Sequence, residues 1–409
     1  MQSNAREPER RRDMPYEPTT EAERRARREA RRRQIRRRRL GALTVVGALA
    51  SLALALGVWA AGGDQPAGAE AATPAKNAAV PKAAGSAGQA GRAADKRSLL
   101  GSGKPVTLAF GGDIHFESPI REKLAASPAS VLAPIAPVLS RADVAMVNLE
   151  TAVTDRGVPA PKEYVFRAPT SAFSALRAGG VDVATIANNH GMDFGTAGLR
   201  DTLKAAKASD VALVGAGRND TQAYAPYRTT VNGQRIAIIG ATQVLDDELI
   251  SAWTAGPGKI GLASAKDEPR LVRVVRKARK TSDTVVVYVH WGVELTSCPT
   301  SVQKSLADKL VAAGADVVVG SHAHVLLGTG TKRRALVSYG LGNFVFYASR
   351  PSTTESGVLE VTVTGRKVNG YRWVPAQISG GIPYPRSGSS RAQAIASWKK
   401  LRSCTDLRR

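Results

Sequence analysis

From Pro105 onward the chain alternates short apolar runs with polar punctuation. Runs rich in β-branched residues fall at 106–110, 144–147, 181–186, 211–214, 236–239, 284–289, 317–319 and 335–339. Apolar runs of this length, bounded by Gly or polar residues, predict buried strands. Helical spacing appears between several of them. Thr300 or Ser301 can cap a helix whose Val302, Leu306 and Leu310 share one face, and Gly314 can end it. Thr196 can open another, with Leu199 and Leu203 turned inward. Strands alternating with helices predict an α/β fold. After Phe346 the pattern turns strand-rich, at 358–363 and 371–378, and no repeat of solenoid period is present.

Ahead of Pro105 the pattern differs. Residues 40–62 are apolar and carry no charge, long enough for a helix to span a bilayer core. Arg31 to Arg33 and Arg36 to Arg39 stand immediately before them. Positive charge stays on the cytoplasmic side, so residues 1–39 read as a disordered cytoplasmic tail, 40–62 as a transmembrane anchor and the remainder as extracytoplasmic. A cleaved signal peptide, cut near Ala67-Gly68-Ala69, is the alternative; the long basic region and the length of the apolar stretch favour a retained single-pass anchor. Residues 63–103 are rich in Ala, Gly, Pro and Lys and read as a flexible linker, which leaves 104–409 as the folded domain.

The 409 residues carry a formal net charge of +24, of which 1–39 supply +8 from fifteen Arg and seven acidic residues. Such a balance suits nucleic acid, anionic lipid or an acidic substrate. No zinc finger or RNA-binding aromatic signature is present, and the domain lacks the interleaving of aromatic and basic residues expected of single-strand binding, so nucleic acid is not expected. Lipid headgroups suit the tail, and an anionic polymer suits the rest. Cys298 and Cys404 match no metal spacing; they read either as one disulfide tying down the C-terminal segment or as two buried free thiols.

The five histidines all lie at or just beyond the ends of predicted strands: Asp113-Ile-His115, Asn188-Asn189-His190, His290-Trp291 and His322-Ala-His324, with Asn148-Leu-Glu150 among them. Ligand-binding groups in α/β sheets gather at the carboxyl ends of strands. Taken singly, each has a plainer reading. Asp-x-His can be solvated polarity at a strand end, Asn-Leu-Glu a turn, and two amides before an imidazole a loop. His322 and His324 fall on the same side of an extended segment, which suits one pocket. Mixed imidazole and carboxylate donors suit Zn, Mn or Fe, and a pair of such cations can clamp an attacking water and a substrate oxygen.

Seven segments then resemble the capsule-synthesis CapA family: Gly-Asp113-Ile-His115, Asn148-Leu-Glu150-Thr, Tyr164-Val-Phe-Arg-Ala-Pro169, Asn188-Asn-His-Gly-Met-Asp193-Phe-Gly195, His290-Trp-Gly-Val-Glu294, Gly-Ser-His322-Ala-His324 and Tyr339-Gly-Leu-Gly-Asn343-Phe-Val-Phe. The resemblance spans about residues 105–350 and implies a metallophosphoesterase-like αββα sandwich. It implies two divalent metal ions. Asp113, His115 and His324 would hold one; Asn189, His290 and His322 the other; Glu150 would bridge where the superfamily has Asp. Ser321 stands where the family often has His, at a position without a ligand role. His190 would be catalytic, protonating a leaving oxygen or stabilising charge beside the substrate. Arg167 could contact an anionic substrate or form a structural ion pair. Glu294 and Asp193 could orient ligand histidines. Asn343 reads as the pin of a turn beneath the site and Trp291 as packing.

The family is associated with poly-γ-glutamate capsule synthesis or export. Two functions follow as expectations. One is a metal-dependent hydrolase acting on phosphoesters, or on amide or ester bonds of an extracellular polymer. The other is a non-catalytic, polymer-binding component of a membrane synthesis assembly.

Overall fold

The computed structural model describes residues 100–409. The basic tail, the anchor over 40–62 and nearly all of the linker lie outside the described residues. Among the described residues no helix is long and apolar enough to cross a membrane.

Two mixed sheets dominate. In the first, Val106–Ile114 lies centrally, with Val144–Leu149, Val183–Thr185 and Ala212–Val214 following in parallel on one side. On its other side Glu355–Thr364, Lys367–Ser379 and Ile382–Pro385 continue antiparallel. The short strand Asn343–Val345 adds in parallel at the carboxyl end of Val106–Ile114. In the second sheet Gln234–Thr242, Thr284–His290, Val317–Ser321 and Ala335–Ser338 are parallel, with antiparallel Tyr227–Val231 and Thr329–Lys332 at the edges.

Side-chain alternation explains why both faces of these strands are apolar. Leu108, Phe110, Val144 and Met146 point to one core, shared with Ile236, Ile238, Val286, Tyr288, Val317 and Val319 of the second sheet. That shared core makes the sheets pack face to face. Their intervening neighbours point outward: Ala109, Ala145 and Val147 meet the helix Ser171–Ala178, whereas Val285, Val287 and Val318 meet Glu268–Thr281 and Ser301–Ala313. The layers are therefore helix, sheet, sheet, helix. Each fully buried Val, Leu or Ile here contributes roughly 1.5–3 kcal/mol relative to exposure.

Two contacts set the sheet ends that carry the polar residues. A Cβ on Gly112 would stand 1.9 Å from the Gly342 carbonyl, so only glycine lets the 343–345 strand reach Asp113, whose N–H donates to that carbonyl at 3.0 Å. Tyr288 Oη donates to the Gly111 carbonyl at 2.8 Å and links the two sheets just below the site.

Helix Ser301–Ala313 begins with a full capping box between Thr300 and Gln303 and ends on Gly314 at φ 113°. Leu306 and Leu310 are buried as expected, but Val302 is 55 % exposed. Successive steps of four residues drift by about 40° each around a helix, and Val302 falls off the buried arc in the first turn. Helix Gly195–Lys207 begins one residue before Thr196, which caps nothing; Leu199 is buried and Leu203 half-buried. Cys298 and Cys404 form a disulfide, and neither is a buried free thiol. It closes a separation of 106 residues, and in the chain-entropy account a loop near that length contributes about 4–5 kcal/mol.

Candidate metal centre

The carboxyl ends of the central parallel strands from both sheets converge. Asp113 ends Val106–Ile114, Glu150 follows Val144–Leu149, His290 ends Thr284–His290, and His322 and His324 follow Val317–Ser321. Asn189 and His190 come from the turn after Val183–Thr185. Ligand atoms of Asp113, Glu150 and His324 lie within 4.8 Å of one another, as do those of Glu150, His290 and His322, and those of Glu294, His322 and His324. The groups are chained through shared residues, so the donors form one continuous cluster with Glu150 in two of the three.

Asp113 is fully buried and nearly satisfied. Its Oδ1 accepts from Asn148 Nδ2 at 2.7 Å, and its Oδ2 accepts from the His322 N–H at 3.1 Å. Glu150 is equally buried, yet neither of its side-chain oxygens has a hydrogen-bond partner. His290 Nε2 lies 3.3 Å from its Oε1. Burial first, and the Asp113 charge second, push the Glu150 carboxyl well above the usual range. A buried carboxylate without donors is costly. Cations held between Glu150, Asp113 and the imidazoles would supply what the protein does not, so the residues fit divalent metal.

His290 and His322 are held in the neutral, ligand-competent form. Burial drives His290 down to about 3 and His322 well below the usual range. His290 Nδ1 contacts Ser321 Oγ at 3.0 Å and Asn148 Nδ2 at 3.1 Å, while Nε2 meets Asn189 Oδ1 at 2.8 Å. His322 Nδ1 is buried without a partner. Burial pulls His324 down too, but the carboxylates of Glu150, Asp113 and Glu294 outweigh it and raise it overall. Asn343 Oδ1 lies 2.9 Å from His324 Nδ1, so Asn343 fixes that ring as well as the local turn.

His322 and His324 do not share an extended segment. Both have left-handed backbone, φ 95° and 56°, because the strand stops at Ser321 and the chain bends. The bend still gathers the rings, whose centroids are 5.8 Å apart. Left-handed φ at two non-glycine residues is strain of the kind that collects at functional sites.

His115 is in none of these donor groups, although His190 and His324 are near enough for their charges to act on it. It stacks on Phe166 at 4.7 Å, edges onto Phe346 at 4.0 Å and Tyr347 at 4.3 Å, and takes the Glu117 amide on Nδ1 at 3.0 Å. His190 stacks on the same Phe166 at 3.9 Å. Its Nδ1 lies 2.6 Å from Asp193 Oδ2, which also accepts the Phe166 N–H at 2.6 Å. The other oxygen of Asp193 is 2.6 Å from Lys162 Nζ. Burial lifts Asp193 to about 7 against the pull of Lys162, and lowers His190 well below its ordinary value.

Lys162 and Glu294 were not read from the sequence as direct members of the site. Lys162 lies in a loop with no periodic signal, yet its side chain is only 7 % exposed and also bonds the Asn189 carbonyl. Glu294 is exposed but joins the donor group of His322 and His324. Arg167 stacks its guanidinium 3.6 Å over the Phe194 ring, and its backbone N–H donates to Glu117. Trp291 is packing: fully buried, with Nε1 on the Tyr339 carbonyl at 2.9 Å.

The family model described as bacterial capsule synthesis protein PGA_cap matches residues 107–348, more than half of the chain. The capsule biosynthesis protein CapA of Bacillus anthracis is 32% identical over 259 residues, which are 61% of this chain and 62% of that one. This chain thus spans about three fifths of the length of that relative. The PGA biosynthesis protein CapA of Bacillus subtilis is 29% identical over 311 residues, 74% of this chain and 80% of that one. Among solved structures, the sulfate thiohydrolase SoxB of Thermus thermophilus superposes with TM-score 0.39 at 14% identity, covering 71% of this chain and 57% of that one.

Proposed function

This chain belongs to the bacterial capsule synthesis protein family PGA_cap, and from that premise we propose that its buried donor cluster holds two divalent cations and hydrolyses a bond in an extracytoplasmic anionic polymer of the polyglutamate kind. The observation that carries the reading is Glu150, a fully buried carboxylate with no donor, shared between the two donor groups. Asp113 and His324 serve one cation and His290, His322 and Asn189 the other, with Glu150 between. Glu294 extends the set, and His115 stays outside it on the aromatic shelf with Phe166.

Bound cations would make hydroxide available near neutral pH and polarise the attacked bond. The chain's own residues do the remainder. Asp193 receives Nδ1–H of His190 and so fixes the tautomer in which Nε2 is bare and free to exchange a proton. Phe166 holds the ring from its face, and Lys162 keeps the Asp193 carboxylate compensated. In polyglutamate the bond cut is an amide, and Arg167 would take a carboxylate of the chain. The disulfide suits an oxidising compartment, in keeping with a domain held outside the cell membrane by the anchor over 40–62.

His190→Ala tests the reading. Polymer cleavage, followed by chain length and released amine, should fall about 100- to 10,000-fold while bound metal stays at the parent level. Unchanged cleavage sinks the role of His190; absence of cleavage in the parent protein with every divalent metal sinks the hydrolase. The second reading, a non-catalytic polymer-binding component of a membrane assembly, draws on the net charge of +16 that remains once the +8 of residues 1–39 is taken from +24, and predicts polymer binding without cleavage.

A further inference from the structure

The C-terminal part of the chain, beyond the matched residues 107–348, builds a second concave surface. In helix Gly388–Lys400 and the turn after it, Arg391, Ile395, Trp398, Lys399 and Arg402 recur at steps of three and four and share one face. That face lies against strand Lys367–Ser379, where Tyr371 and Trp373 point the same way at a step of two. The Trp373 and Trp398 rings stack at 5.5 Å with planes 5° apart, and Tyr371 edges onto Trp398 at 6.2 Å. Between and above them runs a groove of about 1050 Å³.

Its charge is one-sided. Six Lys and Arg residues line the groove and no Asp or Glu side chain does. Arg372 pairs with Glu360, and Arg402 contacts the Thr329 carbonyl and Tyr371 Oη at 3.4 Å each. Arg391, Lys399 and Lys400 are exposed and, among the described residues, have no ion-pair partner. Unpaired like charges packed along one groove repel, and an anion threaded between them relieves that repulsion.

We propose that this groove binds an extended polycarboxylate chain, its carboxylates on Arg391, Lys399 and Arg402 and its aliphatic links along the partly exposed Tyr371 and Ile395. A single-stranded nucleic acid is the competing polyanion, since aromatic and basic residues do interleave here, against expectation, at Tyr371-Arg372-Trp373 and Trp398-Lys399-Lys400, but the burial of the rings disfavours it. Base stacking needs open ring faces, whereas Trp373 and Trp398 are 3 % and 5 % exposed and stack on each other. The inference rests on the polymer reading above for the identity of the chain, but the groove is separate from the donor cluster. Tyr371 pairs with Val361, which pairs with Leu108, five residues before Asp113; at about 3.3 Å per residue the two sites are roughly 16 Å apart along the strand.

The test uses the full chain and poly-γ-glutamate of defined length, with binding followed by tryptophan fluorescence and by anisotropy of end-labelled polymer. Arg391→Glu with Lys399→Glu should weaken binding at least tenfold, with metal content unchanged. Lys207→Glu with Lys277→Glu, matched in charge and away from the groove, should change it less than twofold. His290→Ala should lose metal and keep polymer affinity within twofold, so failure of the catalytic reading leaves this one standing. Equal weakening by both double variants, tighter binding of oligo-dT than of the polymer, or groove-dependent binding to phosphatidylglycerol vesicles alone would each overturn the proposal.

Discussion

The two ends of the same parallel strands treat buried charge in opposite ways. At the amino ends, four aspartates each stand one residue before a strand: Asp143, which is exposed, Asp182, which is half-buried, and the buried Asp283 and Asp316. Each accepts a backbone N–H from the neighbouring strand, of Thr107 at 2.7 Å, Ala145 at 2.8 Å, Arg235 at 2.8 Å and Val285 at 2.9 Å. Asp316, fully buried, is also paired with Arg279 and Arg366. At the carboxyl ends, Glu150 and His322 bury polar atoms that have no partner, and the backbone at His322 and His324 is left-handed. A buried charge with its donors in place holds strands in register. A buried charge without them marks a place where something else completes the coordination.

The largest effect that can break this contrast is on stability. Asp316→Ala strands the Arg279 guanidinium, 15 % exposed, and should destabilise the fold by about 3–5 kcal/mol, read from urea denaturation. Glu150→Gln at the other end should leave metal-free protein at least as stable as the parent, since it removes a desolvated carboxylate that nothing holds. If the two changes destabilise metal-free protein equally, the ends do not differ in kind.

Most of the amino-end pattern was present in the sequence as Ala-Asp143-Val, Val-Asp182-Val, Ser-Asp283-Thr and Ala-Asp316-Val. A polar residue before each β-branched run looks like loop polarity in one dimension, and only the register across strands turns it into a clamp. Central strands such as Val144–Leu149 and Thr284–His290 were legible because each is buried on both faces and reads as a mostly apolar run. The donor cluster was legible because imidazoles are rare in this chain and fall at strand ends. Lys162 was not: it reaches the site through a loop, and nothing in its neighbours gives periodicity. The left-handed turn at His322 was hidden as well, since Ser-His-Ala-His carries no glycine to announce positive φ. The basic groove escaped because its members are spread over 371–409 and meet only when helix and strand pack.

A smaller effect sharpens the contrast from the ligand side. Mn or Zn added to chelator-treated protein at a hundred times its dissociation constant should stabilise the fold by about 2.7 kcal/mol, seen as a rise in melting temperature. Glu150→Gln should abolish most of that rise, and Asp316→Ala should keep it on a lower baseline. A rise that survives Glu150→Gln in full would place the cations elsewhere.

The smallest expected effect lies in the pH dependence, and it joins both kinds of buried charge in one residue. Asp193 has partners, Lys162 and the Phe166 N–H, yet burial still lifts it to about 7. Its folded value stands above the ordinary 3.8, so the folded protein holds this proton more tightly than the unfolded chain does. Its contribution to stability is therefore present at low pH and is lost as pH climbs to about 7. Under the proposed hydrolysis, catalysis should run the other way, because only the carboxylate keeps Nδ1–H of His190 as donor and leaves Nε2 bare. Polymer cleavage should rise with pH to half its plateau near 7, over the range where this group gives up stability. Asp193→Asn should remove that acid limb and lower the plateau about tenfold. A limb that persists unchanged in the variant assigns the titration to another group, and Asp193 would then belong with the structural aspartates at the opposite end of the strands.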